Sequence, residues 1–119
     1  VIQHLQEGMI FIGAAAVADY HIEVPAKEKI KKKDNPELSL RLALNPDILA
    51  SVVATAKASF VVGFAAETSQ VLKHARQKLQ SKKLDMIIAN QVGDDMGFEV
   101  DINQVTVLTK DEQIELPLT

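Results

Sequence analysis

The sequence predicts an α/β protein built on an open, mostly parallel, three-layer sheet that ends in a C-terminal β-hairpin. Three observations predict it. A continuous apolar run at 9–15 and mostly apolar stretches at 59–64 and 84–89 have the length and composition of strands buried on both faces. Amphipathic segments with helix-start chemistry separate them, one opening at Asn45-Pro46-Asp47 and one at Glu67-Thr68-Ser69. The resulting strand–helix alternation implies right-handed crossovers and an open sheet, whose ligands bind beyond the carboxyl ends of the strands.

In order along the chain, residues 1–8 read as the last turns of an amphipathic helix, with Ile2 and Leu5 on one face and Gly8 as its stop. Together with a first residue that is Val1 and not Met, this suggests a piece of a longer polypeptide. Residues 20–36 are polar and Lys-rich and read as a long loop. From Glu37 to Leu44, Leu38, Leu40, Leu42 and Leu44 alternate with other residues, the period of a strand with one wet face. A helix capped by Asn45 should run to about Lys57, and a second from Glu67 to about Lys82. Residues 90–98 form a Gly- and Asp-rich loop. Asn103–Thr109 and Gln113–Leu116 pair around a Lys110-Asp111-Glu112 turn as the hairpin.

Composition excludes several classes. The net charge of −3 argues against a simple basic nucleic-acid binder. No Cys is present, so thiolate metal sites and a Cys nucleophile are ruled out within these residues; a reducing, cytoplasmic setting fits. No apolar run reaches the roughly 18–20 residues of a membrane span. His4, His21 and His74 lack metal-site spacing, and none is assigned a catalytic role. No G-x-S-x-G elbow or G-x-G-x-x-G fingerprint occurs. Asp94-Asp95 suits a turn better than a metal site, and no metal ligand is assigned.

Four constellations carry chemistry. Gly13-Ala14-Ala15-Ala16-Val17-Ala18-Asp19 leaves a strand with little bulk, which suits either tight helix packing or a ligand lying on the backbone with Asp19 as acceptor. Lys27, Lys29, Lys31, Lys32 and Lys33 form either a solvated surface or a cationic lid able to neutralise phosphoryl charge. Asn45-Pro46-Asp47-Ile48 is either a plain helix cap or an anion-binding helix start. On the second helix Val71, Leu72, Ala75 and Leu79 form an apolar stripe at 100° per residue. Lys82 falls inside that arc and Lys78 at its edge, both poorly placed for free solvation and able to reach a phosphate.

Taken in order and spacing, Ala14-Ala15-Ala16-Val17-Ala18-Asp19-Tyr20, Glu28-Lys29-Ile30-Lys31-Lys32, Asn45-Pro46-Asp47-Ile48, Val62-Gly63-Phe64-Ala65-Ala66-Glu67-Thr68 and Leu84-Asp85-Met86-Ile87-Ile88-Ala89-Asn90 resemble phosphopantothenoylcysteine synthetase. More closely, nearly the whole chain is similar to the C-terminal portion of bacterial bifunctional proteins in which a flavin-dependent decarboxylase precedes that synthetase. The resemblance implies a Rossmann-like fold and a CTP-dependent ligase of coenzyme A biosynthesis. In such enzymes 4′-phosphopantothenate attacks the α-phosphate of CTP, giving an acyl-cytidylate and pyrophosphate. Cysteine then displaces CMP, with Mg²⁺ assisting.

Carried over residue by residue, the resemblance implies nucleotide contacts at Gly13, Ala14, Ala15, Asp19, Lys29, Asn45, Pro46, Asp47, Ile48, Phe64, Lys78 and Lys82. Among these, Lys29 is implied as the catalytic flap lysine. It also implies a homodimer, with FMN confined to the upstream decarboxylase. The family's Gly-rich phosphate loop and second-step Asn do not occur in these residues, and His21 and Gln91 depart from common family residues. The residues 1–119 are thus expected to be the C-terminal part of the ligase domain, inactive alone. A non-catalytic α/β nucleotide-binding or interaction module is the alternative.

Overall fold

The computed structural model describes residues 1–15, 17–33, 37–92 and 104–116. Its elements, in order, are β1 (Ile10–Gly13), β2 (Tyr20–Ile22), β3 (Leu42–Leu44), α1 (Ile48–Thr55), β4 (Phe60–Glu67), α2 (Val71–Ser81), β5 (Met86–Gln91), β6 (Val105–Thr109) and β7 (Gln113–Leu116). They fall into two compact units, Val1–Ala15 with Ile48–Thr119, and Ala16–Asp47.

The larger unit is a five-stranded sheet in the order β1-β4-β5-β6-β7. β1, β4 and β5 are parallel neighbours, while β5-β6 and β6-β7 are antiparallel. The α/β class, the parallel core and the terminal hairpin are therefore as the sequence predicts. Two crossovers in one direction place α1 and α2 on the same face. The packing agrees. Val52 of α1 and Ala75 and Leu79 of α2 share one core with Val61, Ala65, Ile87, Ala89 and Leu108, which are alternate residues of β4, β5 and β6. Residues of the opposite parity point away from both helices. Ile12 is 59% exposed and Phe64 44%, and Ile10, Ile114 and Leu116 are exposed as well.

Register explains one local need for glycine. Gly13 of β1 pairs with Gly63 of β4, so two glycines lie side by side. A Cβ on Gly13 would sit 2.8 Å from Leu49 Cδ2. On Gly63 it would sit 2.9 Å from Leu84 Cδ1 and 3.1 Å from Leu49 Cδ1. The absence of both side chains lets α1 settle onto the sheet through Leu49.

The smaller unit is a ribbon. Tyr20, His21 and Ile22 pair antiparallel with Leu44, Ala43 and Leu42. Asn45 N–H donates to Asp19 O at 2.7 Å, and Glu23 N–H to Arg41 O at 3.0 Å, so the pairing continues past both strand ends.

Several boundaries differ from those expected. Residues 1–8 hold only a 3-10 turn, Ile2–His4, and Leu5 alone of its apolar pair is buried. The expected loop from residue 20 begins as strand β2, because its partner lies twenty residues away and no local signal marks it. The leucine strand is confined to Leu42–Leu44, and Leu44 is 70% exposed, since nothing within the ribbon unit covers it. α1 starts at Ile48, not beside Asn45, and ends at Thr55. Glu67 is the last residue of β4, and α2 opens only at Val71, after Gln70 takes a left-handed conformation. Asn90 and Gln91 extend β5. Residues 93–98 of the expected loop, with Asp94-Asp95 among them, and Asn103, Ala16 and the Asn35-Pro36 loop end lie outside the described residues.

Candidate functional site

Because β1, β4 and β5 run parallel side by side, their carboxyl ends open on one side of the sheet. The ends are not level. β1 stops at Gly13, opposite Gly63, whereas β4 runs four residues further, through Phe64, Ala65, Ala66 and Glu67. At about 3.3 Å per residue this leaves a step about 13 Å deep. Gly13 stands at its foot, β4 is its riser, and the exposed Ala14 and Ala15 follow Gly13 in the chain. On the β1 side, no strand among the described residues pairs with that stretch of β4. In open α/β sheets ligands bind outside the carboxyl ends of the strands.

Phe64 and Glu67 have opposite parity on the riser. Phe64 faces the uncovered side of the sheet. Glu67 is turned toward the helices, where two residues of α2 meet its carboxylate. Lys78 Nζ lies 2.9 Å from Oε1, and His74 Nδ1 lies 3.4 Å from Oε2. His74 and Lys78 are four residues apart and so share one flank of the helix. The Glu67 side chain is 19% exposed and that of Lys78 43%, so the ammonium is held by a mostly buried acid yet remains open to solvent. Main chain fixes the acid as well, since Val92 N–H donates to Glu67 O at 2.9 Å.

Lys82 is the residue that closes α2, its N–H bonded to the carbonyls of Lys78 and Gln80, and it is half-buried. The lysine pair set apart by helical geometry therefore lies where the stripe predicts, with Lys78 at the edge and Ala75 and Leu79 buried beneath. Leu72, expected in the stripe, is exposed.

Apart from Ile48, the other expected site residues lie in the ribbon unit. Asn45 does not cap α1 with its side chain. Its Nδ2 donates to Ala18 O at 2.7 Å and its N–H to Asp19 O, so Asn45 pins the segment that carries Asp19. Pro46 and Asp47 follow as the lead into Ile48, the first residue of α1. Lys29 is exposed in the connection between β2 and β3, among exposed Lys27, Lys31, Lys32 and Lys33.

Sequence reasoning missed two features. Glu67 was expected to open a helix, and the signal that could have exposed it was the spacing of His74 and Lys78 one and two turns into α2. Asp85 was passed over inside an apolar run, yet its Oδ2 accepts Val61 N–H at 2.8 Å while its own N–H donates to Val61 O. Gly13 also has a packing role under Leu49 that accounts for its small size without a ligand.

A shallow cavity of about 170 Å³ lies on the other flank of α2, lined by Val71, Leu72, Ala89, Gln91, Thr106 and Glu115 among others. It contains none of the expected nucleotide residues. Among the described residues no group of three His, Asp or Glu side chains could hold a metal ion, and no helix is long and apolar enough to cross a membrane.

The family model for the DNA/pantothenate metabolism flavoprotein C-terminal domain matches residues 1–119. The chain is 48% identical to the coenzyme A biosynthesis bifunctional protein CoaBC of Vibrio cholerae, covering 100% of this chain and 31% of the relative. It is 46% identical to that of Escherichia coli, covering 96% and 29%. It thus spans about 30% of the length of these relatives. Among solved structures, the C-terminal domain of a CoaBC protein superposes with a TM-score of 0.71 at 35% identity, over 99% of this chain and 50% of that one. The DNA/pantothenate metabolism flavoprotein of Streptococcus pneumoniae gives 0.72 at 20% identity, over 96% and 56%, a likeness of fold.

Proposed function

Since the chain belongs to the DNA/pantothenate metabolism flavoprotein C-terminal domain family, we propose that it supplies the nucleotide-binding wall of a CTP-dependent phosphopantothenate–cysteine ligase of coenzyme A biosynthesis. The observation that supports the proposal is the stepped carboxyl rim, where β1 ends at Gly13 opposite Gly63 while β4 runs on to Glu67, whose carboxylate Lys78 meets.

In this reading the triphosphate lies beyond the carboxyl end of β1, where Ala14 and Ala15 follow Gly13 and carry little side-chain bulk. Lys78 and Lys82 approach from the α2 side, and Phe64 packs from the far side of β4. Asp19, held by Asn45, and Pro46, Asp47 and Ile48 are the further nucleotide contacts that this reading assigns. Lys29, on the exposed ribbon loop, brings a cation to the α-phosphate as the 4′-phosphopantothenate carboxylate attacks and pyrophosphate leaves. Cysteine nitrogen then attacks the acyl carbon and CMP departs, forming the amide. When bound, Mg²⁺ would supply further neutralisation of phosphate charge. A homodimer and a cytoplasmic location belong to the same proposal, as does an FMN-bearing decarboxylase upstream.

Two measurements test it. Calorimetric titration of the chain should show CTP binding in preference to ATP. In a polypeptide that also contains the remaining half of the ligase domain, Lys29→Gln should abolish pyrophosphate release with folding intact. Undiminished turnover would remove Lys29 from the mechanism. CTP binding combined with no turnover in the full-length protein would favour the non-catalytic binding module.

A further inference from the structure

The carboxylate at the end of β4 has an unusual position for a protein that receives a polyanion. Its Oε1 lies 2.9 Å from Lys78 Nζ, the ammonium that the nucleotide reading directs at phosphate. The acid is fixed through its main chain by Val92 and is four-fifths buried, whereas nearly half of the lysine side chain is open to solvent. Of the two partners, the lysine is the one free to move. If it swings away, Glu67 is not left bare, because His74 Nδ1 lies 3.4 Å from the second carboxylate oxygen.

We propose that Glu67 is an internal counter-ion that Lys78 exchanges for phosphate, so that it tunes how tightly the rim holds a polyphosphate and how readily it lets one go. The proposal rests on the nucleotide reading of the rim. A phosphate arriving at Lys78 competes with a carboxylate already in place, and a departing pyrophosphate is replaced by that carboxylate. Glu67 acts through Lys78 and touches no reacting atom. Its effect is a lowered affinity.

The test is a double-substitution cycle read by calorimetry with inorganic tripolyphosphate and with CTP. Glu67→Gln keeps the shape and removes the charge, and should bind tripolyphosphate about fivefold more tightly, the upper range for a solvent-accessible ion pair. In a Lys78→Gln background the same change should have almost no effect, since the exchanging cation is gone. An equal gain in both backgrounds overturns the proposal, because it would mark ordinary long-range repulsion. Weaker binding by Glu67→Gln overturns it too, as does a lack of polyphosphate binding by the unaltered chain. CTP separates this proposal from the one beneath it. If tripolyphosphate follows the expected cycle but CTP is not preferred over ATP, the counter-ion exchange stands and the CTP assignment fails.

Discussion

Replacing Asp85 by Ala should destabilise the sheet far more than its exposed position suggests. Asp85 and Val61 exchange two hydrogen bonds, Val61 N–H to Asp85 Oδ2 at 2.8 Å and Asp85 N–H to Val61 O at 3.0 Å. They do so one residue before the β4–β5 ladder opens at Val62 and Met86. The side chain thus supplies an acceptor where the ladder has none. Val61 is buried, so alanine leaves its N–H without a partner and without water. An orphaned buried donor costs about 1–3 kcal/mol, a large share of the roughly 5–15 kcal/mol by which a domain is stable. For a chain of this size that corresponds to a fall in Tm of about 4–12 °C. Asp85→Asn retains a carbonyl oxygen at the same place and should recover about half of the loss. Urea melts followed by far-UV circular dichroism give both values. If the Ala and Asn variants were equally stable, or if alanine cost less than about 0.5 kcal/mol, the bond would not be holding the ladder.

Two further outcomes follow from the geometry. Asn45→Asp keeps the shape but sets an acceptor against Ala18 O, where an N–H donor now stands at 2.7 Å. Amide exchange at Asn45 and across Tyr20–Ile22 should therefore quicken in the order wild type, Asn45→Ala, Asn45→Asp, and the reverse order would contradict the assigned bond. Ile12→Thr, on the sheet face away from both helices, should change stability by no more than about 0.5 kcal/mol. It should also lessen concentration-dependent association in light scattering. A cost above about 2 kcal/mol would mean that this face is packed within the chain.

Legibility in the sequence followed locality. The three apolar runs became β1, β4 and β5, since a strand buried by helices needs only its own composition to be recognised. The hairpin was equally plain, with Lys110, Asp111 and Glu112 breaking two short alternating runs. Lys78 could be singled out because helical geometry fixes where a residue points once the stripe is known. What stayed hidden depends on partners distant in the chain. Tyr20–Ile22 is a strand only because Leu42–Leu44 returns to pair with it. The smallness of Gly13 looks like ligand chemistry until Leu49 is placed above it. Glu67 resembled a helix opener because an acid before an amphipathic run usually is one, and only the extra length of β4 reveals it as an acid at a strand end.

The unequal lengths of β1 and β4 have a consequence for how such a rim can be studied and how it can change. From Phe64 to Glu67 the edge of β4 next to β1 offers main-chain N–H and C=O groups to whatever lies on the step. Contacts made to backbone survive every side-chain substitution along that edge. An alanine scan of residues 64–67 would thus report the ring of Phe64 and the charge of Glu67 while leaving the peptide contribution unseen. Shape and register, rather than residue identity, would then carry part of the recognition. A sequence could drift widely along this edge, and still hold a ligand bound through main chain, for as long as β1 continued to stop short.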